Sequence, residues 1–240
     1  MWMRAAMALC IIALPLSAVA ETIAGSGRAV TEERAVSDFH GIAVSVPGRV
    51  ELVQGADEGM TLTADDNVLA RIITNVDRGV LRVRFPRGVS VRARTPIHLV
   101  VRARTVDSIS IAGAARLEAR KLEGDRIAVE LAGSASALLP AVAARELVLG
   151  TSGHCHAMLG GKTERFVLKI AGAGEINAAR LEAQQATVRI AGSAQVAAWV
   201  LRSLEARVTG SGAVRYFGDP RIERRVVGSG VVERLGASPP

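Results

Sequence analysis

Two cysteines, one tyrosine, two tryptophans and four phenylalanines are all the disulfide-forming and aromatic residues that this chain of 240 residues contains. Cys10 lies in an apolar leader, so after its removal Cys155 stands alone and no internal disulfide can form. The fold must therefore be held by apolar burial. With aromatics at 3%, that burial falls to Ala, Val, Leu, Ile and Gly, which suits a core of many small side chains in repeated layers. Lysine occurs only at Lys121, Lys162 and Lys169, and every other cationic side chain is arginine. Beyond the leader no apolar run is long enough to cross a bilayer as a helix. The sequence has no G-x-S-x-G elbow, no H-E-x-x-H, no phosphate loop and no glycine-aspartate nonapeptide for calcium. No catalytic residue, metal ligand or cofactor is implied.

What is present begins with the leader. Arg4 precedes an apolar run from Ala5 to Leu16, and Ala18-Val19-Ala20 precedes Glu21. Basic, apolar and A-x-A segments in that order form a cleavable secretory signal, here too short to span a membrane. The mature chain is expected to start near Glu21, a residue that cannot accept a lipid. A periplasmic or secreted protein follows.

From residue 107 the chain repeats itself. The segments Ile111-Ala112-Gly113, Leu131-Ala132-Gly133, Thr151-Ser152-Gly153, Ile170-Ala171-Gly172, Ile190-Ala191-Gly192, Val208-Thr209-Gly210 and Val226-Val227-Gly228 recur every 18 to 20 residues. Apolar residues alternate before each glycine, as in Ile127, Val129, Leu131 and Phe166, Leu168, Ile170, which is the period of a strand with one buried face. Four residues after each glycine stands another small or branched apolar residue: Leu117, Ala137, Ala157, Ile176, Val196, Val214 and Val232. A less regular third position at Leu122, Val142, Leu181 and Leu201 suggests a third side. A unit this short cannot bury its own inner face and must stack on its neighbours. The expected fold is all-β, a parallel β-solenoid with glycine at the corners, where a positive φ is needed.

The preceding part reads differently. Strand-like runs at 42–46, 50–54, 60–64, 72–76, 80–85 and 97–103 are separated by turn residues, and Asp65-Asp66-Asn67 is placed to cap one helical turn. This section is expected to form an antiparallel β cap over the first coil, since an open solenoid end invites aggregation. The division is then a signal peptide at 1–20, a linker at 21–35, the cap at 36–106, solenoid repeats at 107–235 and a tail at 236–240.

The corners Gly210-Ser211-Gly212 and Gly228-Ser229-Gly230, the stretch Val214-Arg215-Tyr216-Phe217-Gly218-Asp219-Pro220, and the openings Phe39-His40-Gly41-Ile42 and Val50-Glu51-Leu52-Val53-Gln54-Gly55 carry a family likeness. In these residues the chain resembles the DUF2807 family, the putative auto-transporter adhesin head GIN domain, from about Val36 to Leu235. The resemblance implies a right-handed, β-helix-like solenoid, an envelope location and no established activity. Family corners usually continue Gly-Ser-Gly-Asp, whereas this chain has Arg116, Ser136, His156, Glu175, Gln195 and Ala213 at that step. An auto-transporter also needs a C-terminal membrane barrel. The sequence ends in Ala237-Ser238-Pro239-Pro240 without one, so self-translocation is not expected.

Three candidate sites emerge. Between Arg78 and Val106 lie eight arginines and no acid, with Arg82, Arg84, Arg92, Arg94, Arg102 and Arg104 alternating with apolar residues. If they share an outer face, they would attract phosphate or carboxylate groups of an anionic envelope glycan or lipid. Nucleic acid is the weaker partner, because no aromatic residues interleave to stack bases. The bland alternative is a solvated face that discourages edge pairing. His154-Cys155-His156 looks metal-binding, but on a strand the histidines point one way and the cysteine the other, so the three cannot converge on one ion. Glu118, Glu130, Glu146, Glu164, Glu182 and Glu205 fall at different steps of the repeat, which speaks against the clustered carboxylates of β-helical polysaccharide-acting enzymes. The expected function is a non-catalytic, adhesin-like or polyanion-binding envelope module. A polysaccharide-acting enzyme and a purely structural protein with homotypic contacts are the alternatives.

Overall fold

Period-two alternation makes each strand bury one face, and small residues at the corners let successive turns of the chain lie directly on one another. The computed structural model describes residues 21–239; the leader at 1–20 lies outside them. In chain order the strands are β1 (Glu21–Ala24), β2 (Ala29–Arg34), β3 (Gly41–Val44), β4 (Gly48–Gln54) and β5 (Gly59–Asp65). After the helical turn α1 (Asp66–Leu69) come β6 (Ile73–Asp77), β7 (Val80–Arg84), β8 (Val89–Arg92) and β9 (His98–Ala103). The repeats hold β10 (Ser108–Gly113), β11 (Ala115–Ala119), β12 (Leu122–Gly133), β13 (Ser136–Gly192), β14 (Gln195–Gly210), β15 (Ala213–Phe217), β16 (Arg221–Gly228) and β17 (Val231–Gly236).

Every ladder within the repeats is parallel and joins one turn to the next. Numbering coils 1 to 7 by their corner glycines, Gly113 is in register with Gly133 and Gly133 with Gly153, while Gly192 pairs Gly210 and Gly210 pairs Gly228. All seven have φ between 85° and 137°. The stacking is close: a Cβ at Gly192 would lie 2.0 Å from the Gly172 carbonyl oxygen. Each coil thus has a first face before the glycine and a second after it. Ile127, Val129 and Leu131 on the first face and Leu117, Ala137 and Ala157 on the second are buried. A third side is closed by Leu122, Val142, Leu181 and Val200. Leu201, expected there, is 36% exposed. A register shift between Ala178 and Glu182 brings Val200 opposite Ala183, where it is buried in place of Leu201.

The cap combines two pairing modes. β5 pairs β2 and β9 antiparallel, and β6 pairs β7 antiparallel, which covers the end of the stack. Between these edges and coil 1, however, the solenoid continues. β3 lies parallel between β7 and β10, and β4 parallel between β9 and β11. Ile42 is opposite Leu81 and Ile109, so the core column simply extends. The chain enters in the second coil from this end, descends to the end, and returns to coil 1 through Arg104 to Asp107. Residues 21–35, read as a linker, carry β1 and β2. β1 adds to β8 in a small parallel ladder, while β2 is exposed and joins through its backbone. Its sequence, Ala-Val-Thr-Glu-Glu-Arg, shows no buried face.

One buried carboxylate pins this end. Asp65, fully inaccessible, precedes α1 but makes no side-chain cap to it. Its oxygens instead accept from the N–H groups of Gly27, Arg94 and Thr95 and from the Thr95 hydroxyl at 2.7 Å. Burial pushes the Asp65 carboxyl up, but these donors together outweigh burial and hold its pKa below the ordinary value of 3.8. At the opposite end, β16 and β17 have no strand beyond them among the described residues. There Arg224 stands in register with buried Ala206, and Arg234 with Tyr216.

Candidate functional site

The six cap arginines are spread over three ladders rather than gathered on one face. Arg82 and Arg84 project from β7 on the first face, where Arg82 lies 3.7 Å from Asp77. Arg92 sits on β8 beside β1, and Arg94 follows it, its backbone N–H committed to Asp65. Arg102 belongs to β9 on the second face and donates to Glu33 at 2.6 Å, while Arg104 donates to the Ala56 carbonyl at 2.9 Å. Of their apolar alternates Leu81, Val83, Val101 and Ala103 are buried, whereas Phe85 and Val91 are half-buried and Ala93, between Arg92 and Arg94, is exposed. Closeness in sequence did not become closeness in space because β7, β8 and β9 run along different sides.

His154 and His156 both point outward with ring centroids 5.0 Å apart, and Cys155 points into the core with 1% exposure. Its thiol hydrogen-bonds to backbone carbonyls, the Leu131 oxygen at 3.5 Å among them. Among the described residues no group of three His, Cys, Asp or Glu side chains converges in a way that could hold a metal ion.

Acidic side chains on the coils are largely engaged with cations. Glu118 meets Arg49 and Arg116, Asp125 meets Arg145, Glu182 meets Lys162, and Glu205 meets Arg189 and Arg207. The two-point contact from Arg145, with bonds of 2.6 and 2.8 Å, holds the Asp125 carboxyl below its ordinary pKa and raises that of the guanidinium. Asp66, bonded to Ser26, Arg28 and the Asn67 N–H, is lowered too.

The first face carries a feature that reading the cap arginines did not reveal. The outward residue three places before each corner glycine is Ser110, Glu130, Gly150, Lys169, Arg189, Arg207 and Arg225 in turn. Arg189 is in register with Arg207, and Arg207 with Arg225. All four cations are exposed. Beside them Ser152, Ala171, Ala191 and Thr209, one place before the glycines, form a low shelf. With Gly150 they leave an open groove of about 490 Å³ bordered by Glu130, Lys169, Arg189 and Arg207. A second groove, of about 360 Å³, crosses the second face between Arg116, His156, Met158 and Glu175. Counting back from each glycine would have exposed the cation column in the sequence.

Stacked parallel coils, a capped end and open lateral grooves define a capped parallel β-solenoid. The family described as putative auto-transporter adhesin, head GIN domain, matches residues 38–220, and the chain belongs to it. Among solved structures, a putative adhesin from Bacteroides fragilis NCTC 9343 superposes with a TM-score of 0.85 at 22% identity, over 89% of this chain and 100% of that one. From Parabacteroides distasonis ATCC 8503, a putative lipid binding protein gives a TM-score of 0.76 at 22% identity and a putative adhesin 0.72 at 21%. Each covers 90% of this chain and 100% of its own. Identities this low establish the shared fold alone. Among curated proteins no sequence matches.

Proposed function

We propose that the protein is exported through its leader and serves in the cell envelope as a non-catalytic, adhesin-like module that binds anionic glycan or lipid on its lateral faces. The observation that carries this reading is a rigid stacked scaffold, with a formal net charge of +7 for the whole chain, whose first-face groove is edged by lysine and arginine. Such a face offers an ordered array of charge without enclosing a substrate. Asp65, Asp66 and Asp125 have lowered pKa values, so these three are not suited to be the general acid of glycosidic cleavage, which needs a raised one. One similar structure is described as a putative lipid binding protein, so lipid belongs among the ligands to be tried.

The test is direct. The chain from Glu21 onward is applied to acidic polysaccharides and to vesicles containing anionic lipid, at low and high salt, and each polysaccharide is then checked for shortening. Binding that weakens with salt, with polymer length unchanged, is the expected result. Shortened polymer would make the protein an enzyme and overturn the reading. Sequencing the N-terminus of protein recovered from the envelope fraction is expected to give Glu21 first.

A further inference from the structure

We infer that the first face of coils 4 to 7 is a binding track for a linear acidic polysaccharide lying along the rod axis, with one acidic group held per coil. This rests on the reading above of a lateral anion-binding module and names its site and ligand class. Lys169, Arg189, Arg207 and Arg225 stand in single file at the coil height of about 4.8 Å. Like charges placed directly opposite each other destabilise a sheet, so folding alone gives no reason to align four cations. Glu205 reaches two of them, at 3.5 Å from Arg189 and 2.9 Å from Arg207. Lys169 and Arg225 make no ion pair among the described residues.

The surroundings specify the ligand. The shelf of Ser152, Ala171, Ala191 and Thr209 is low enough for a sugar ring to lie against it, and its two hydroxyls can exchange hydrogen bonds with sugar hydroxyls. Arginine grips a carboxylate through two parallel bonds. A polymer with an acid on every sugar repeats its charge at intervals of the order of the coil height, about 4.8 Å. No aromatic side chain points outward on this face among the described residues, so single-stranded nucleic acid would lack stacking partners. The file also has a defined lower end. Glu130 leans over Gly150, where a Cβ would lie 2.0 Å from the carboxylate, and the column becomes acidic there. Four cations then set a ligand of about four acidic sugars as the shortest that fills the track.

Binding of oligogalacturonates of two to eight sugars to the mature protein, measured by titration calorimetry, tests this. Affinity is expected to climb with length up to about four sugars and then level off. Arg189→Ser with Arg207→Ser should weaken the hexamer at least tenfold. Lys169→Ser with Arg225→Ser, which removes side chains without ion pairs, gives an independent variant with the same expected direction. Arg82→Ser with Arg84→Ser should bind as the unaltered protein does. If both file variants fold, as judged by circular dichroism, and bind the hexamer normally, the track is wrong. Loss in the β7 variant instead would move the site to the cap and leave lateral anion binding standing. No binding of any acidic polysaccharide or anionic vesicle would overturn both.

Discussion

The cap and the seven-coil stack solve the same problem by opposite means. In the stack, each coil is a template for the next: parallel ladders in register, a glycine at each corner and a core of small aliphatic side chains. Few side-chain hydrogen bonds are needed. In the cap, antiparallel edges, a chain reversal and a helical turn must be fixed one by one. Asp65 ties together three separate segments, and Arg34 reaches both α1 and β6 through the Leu69 carbonyl and the Thr74 hydroxyl. Regular backbone geometry organises one region, and particular polar side chains organise the other.

That contrast can be broken at several points. The largest effect is expected at Gly192→Val, where a side chain meets the Gly172 carbonyl at φ of 137°. A loss on the order of 3 kcal/mol or more should appear in urea melts. Gly113→Ala, at the foot of the same column with open space around its Cβ, carries only the backbone strain, about 1 kcal/mol. Equal losses at both glycines would show that stacking contact is not what the column provides.

Next comes Asp65→Ala, which should lower the urea midpoint by releasing the N-terminal segment and β5 from Thr95. Because the folded-state pKa of Asp65 is lowered, its contribution is complete above the ordinary carboxylate value of 3.8 and is lost as pH falls below it. The difference between variant and parent should therefore shrink on going from pH 6 to pH 3. A constant difference would assign the residue a packing role instead. The smallest effect belongs to Arg49→Ala, which cuts the exposed ion pair to Glu118 joining the cap's coil to coil 1. It should cost under about 1 kcal/mol and less still in high salt.

Much of this architecture was legible because repetition amplifies weak signals. One strand with alternating valines is ambiguous, but seven with a glycine at the same step are not. The parts that escaped lack that amplification. β2 has no apolar alternation and is held by its backbone pairing with β5 and by the polar bonds of Glu33 and Arg34. β3 and β4 belong to the stack, yet Ser45-Val46-Pro47-Gly48 joins them without the repeat's glycine spacing, so their parallel pairing left no trace in the period. Leu201 and Val200 differ by one residue, and the register shift between Ala178 and Glu182 decided between them. The cation file needed the opposite reading from the cap arginines: its members are 18 to 20 residues apart in sequence and neighbours on the sheet.

The last coil has a further consequence. Its edge, unpaired among the described residues, has the geometry on which another strand could settle, and repetition would ordinarily make it a seed for endless growth. Yet two of its interior positions hold Arg224 and Arg234, where the coil beneath has Ala206 and Tyr216. Whatever covered this edge would have to strip water from two guanidinium groups, at several kcal/mol for each ion. The rod thus carries its own stop signal, written in the same columns that hold it together.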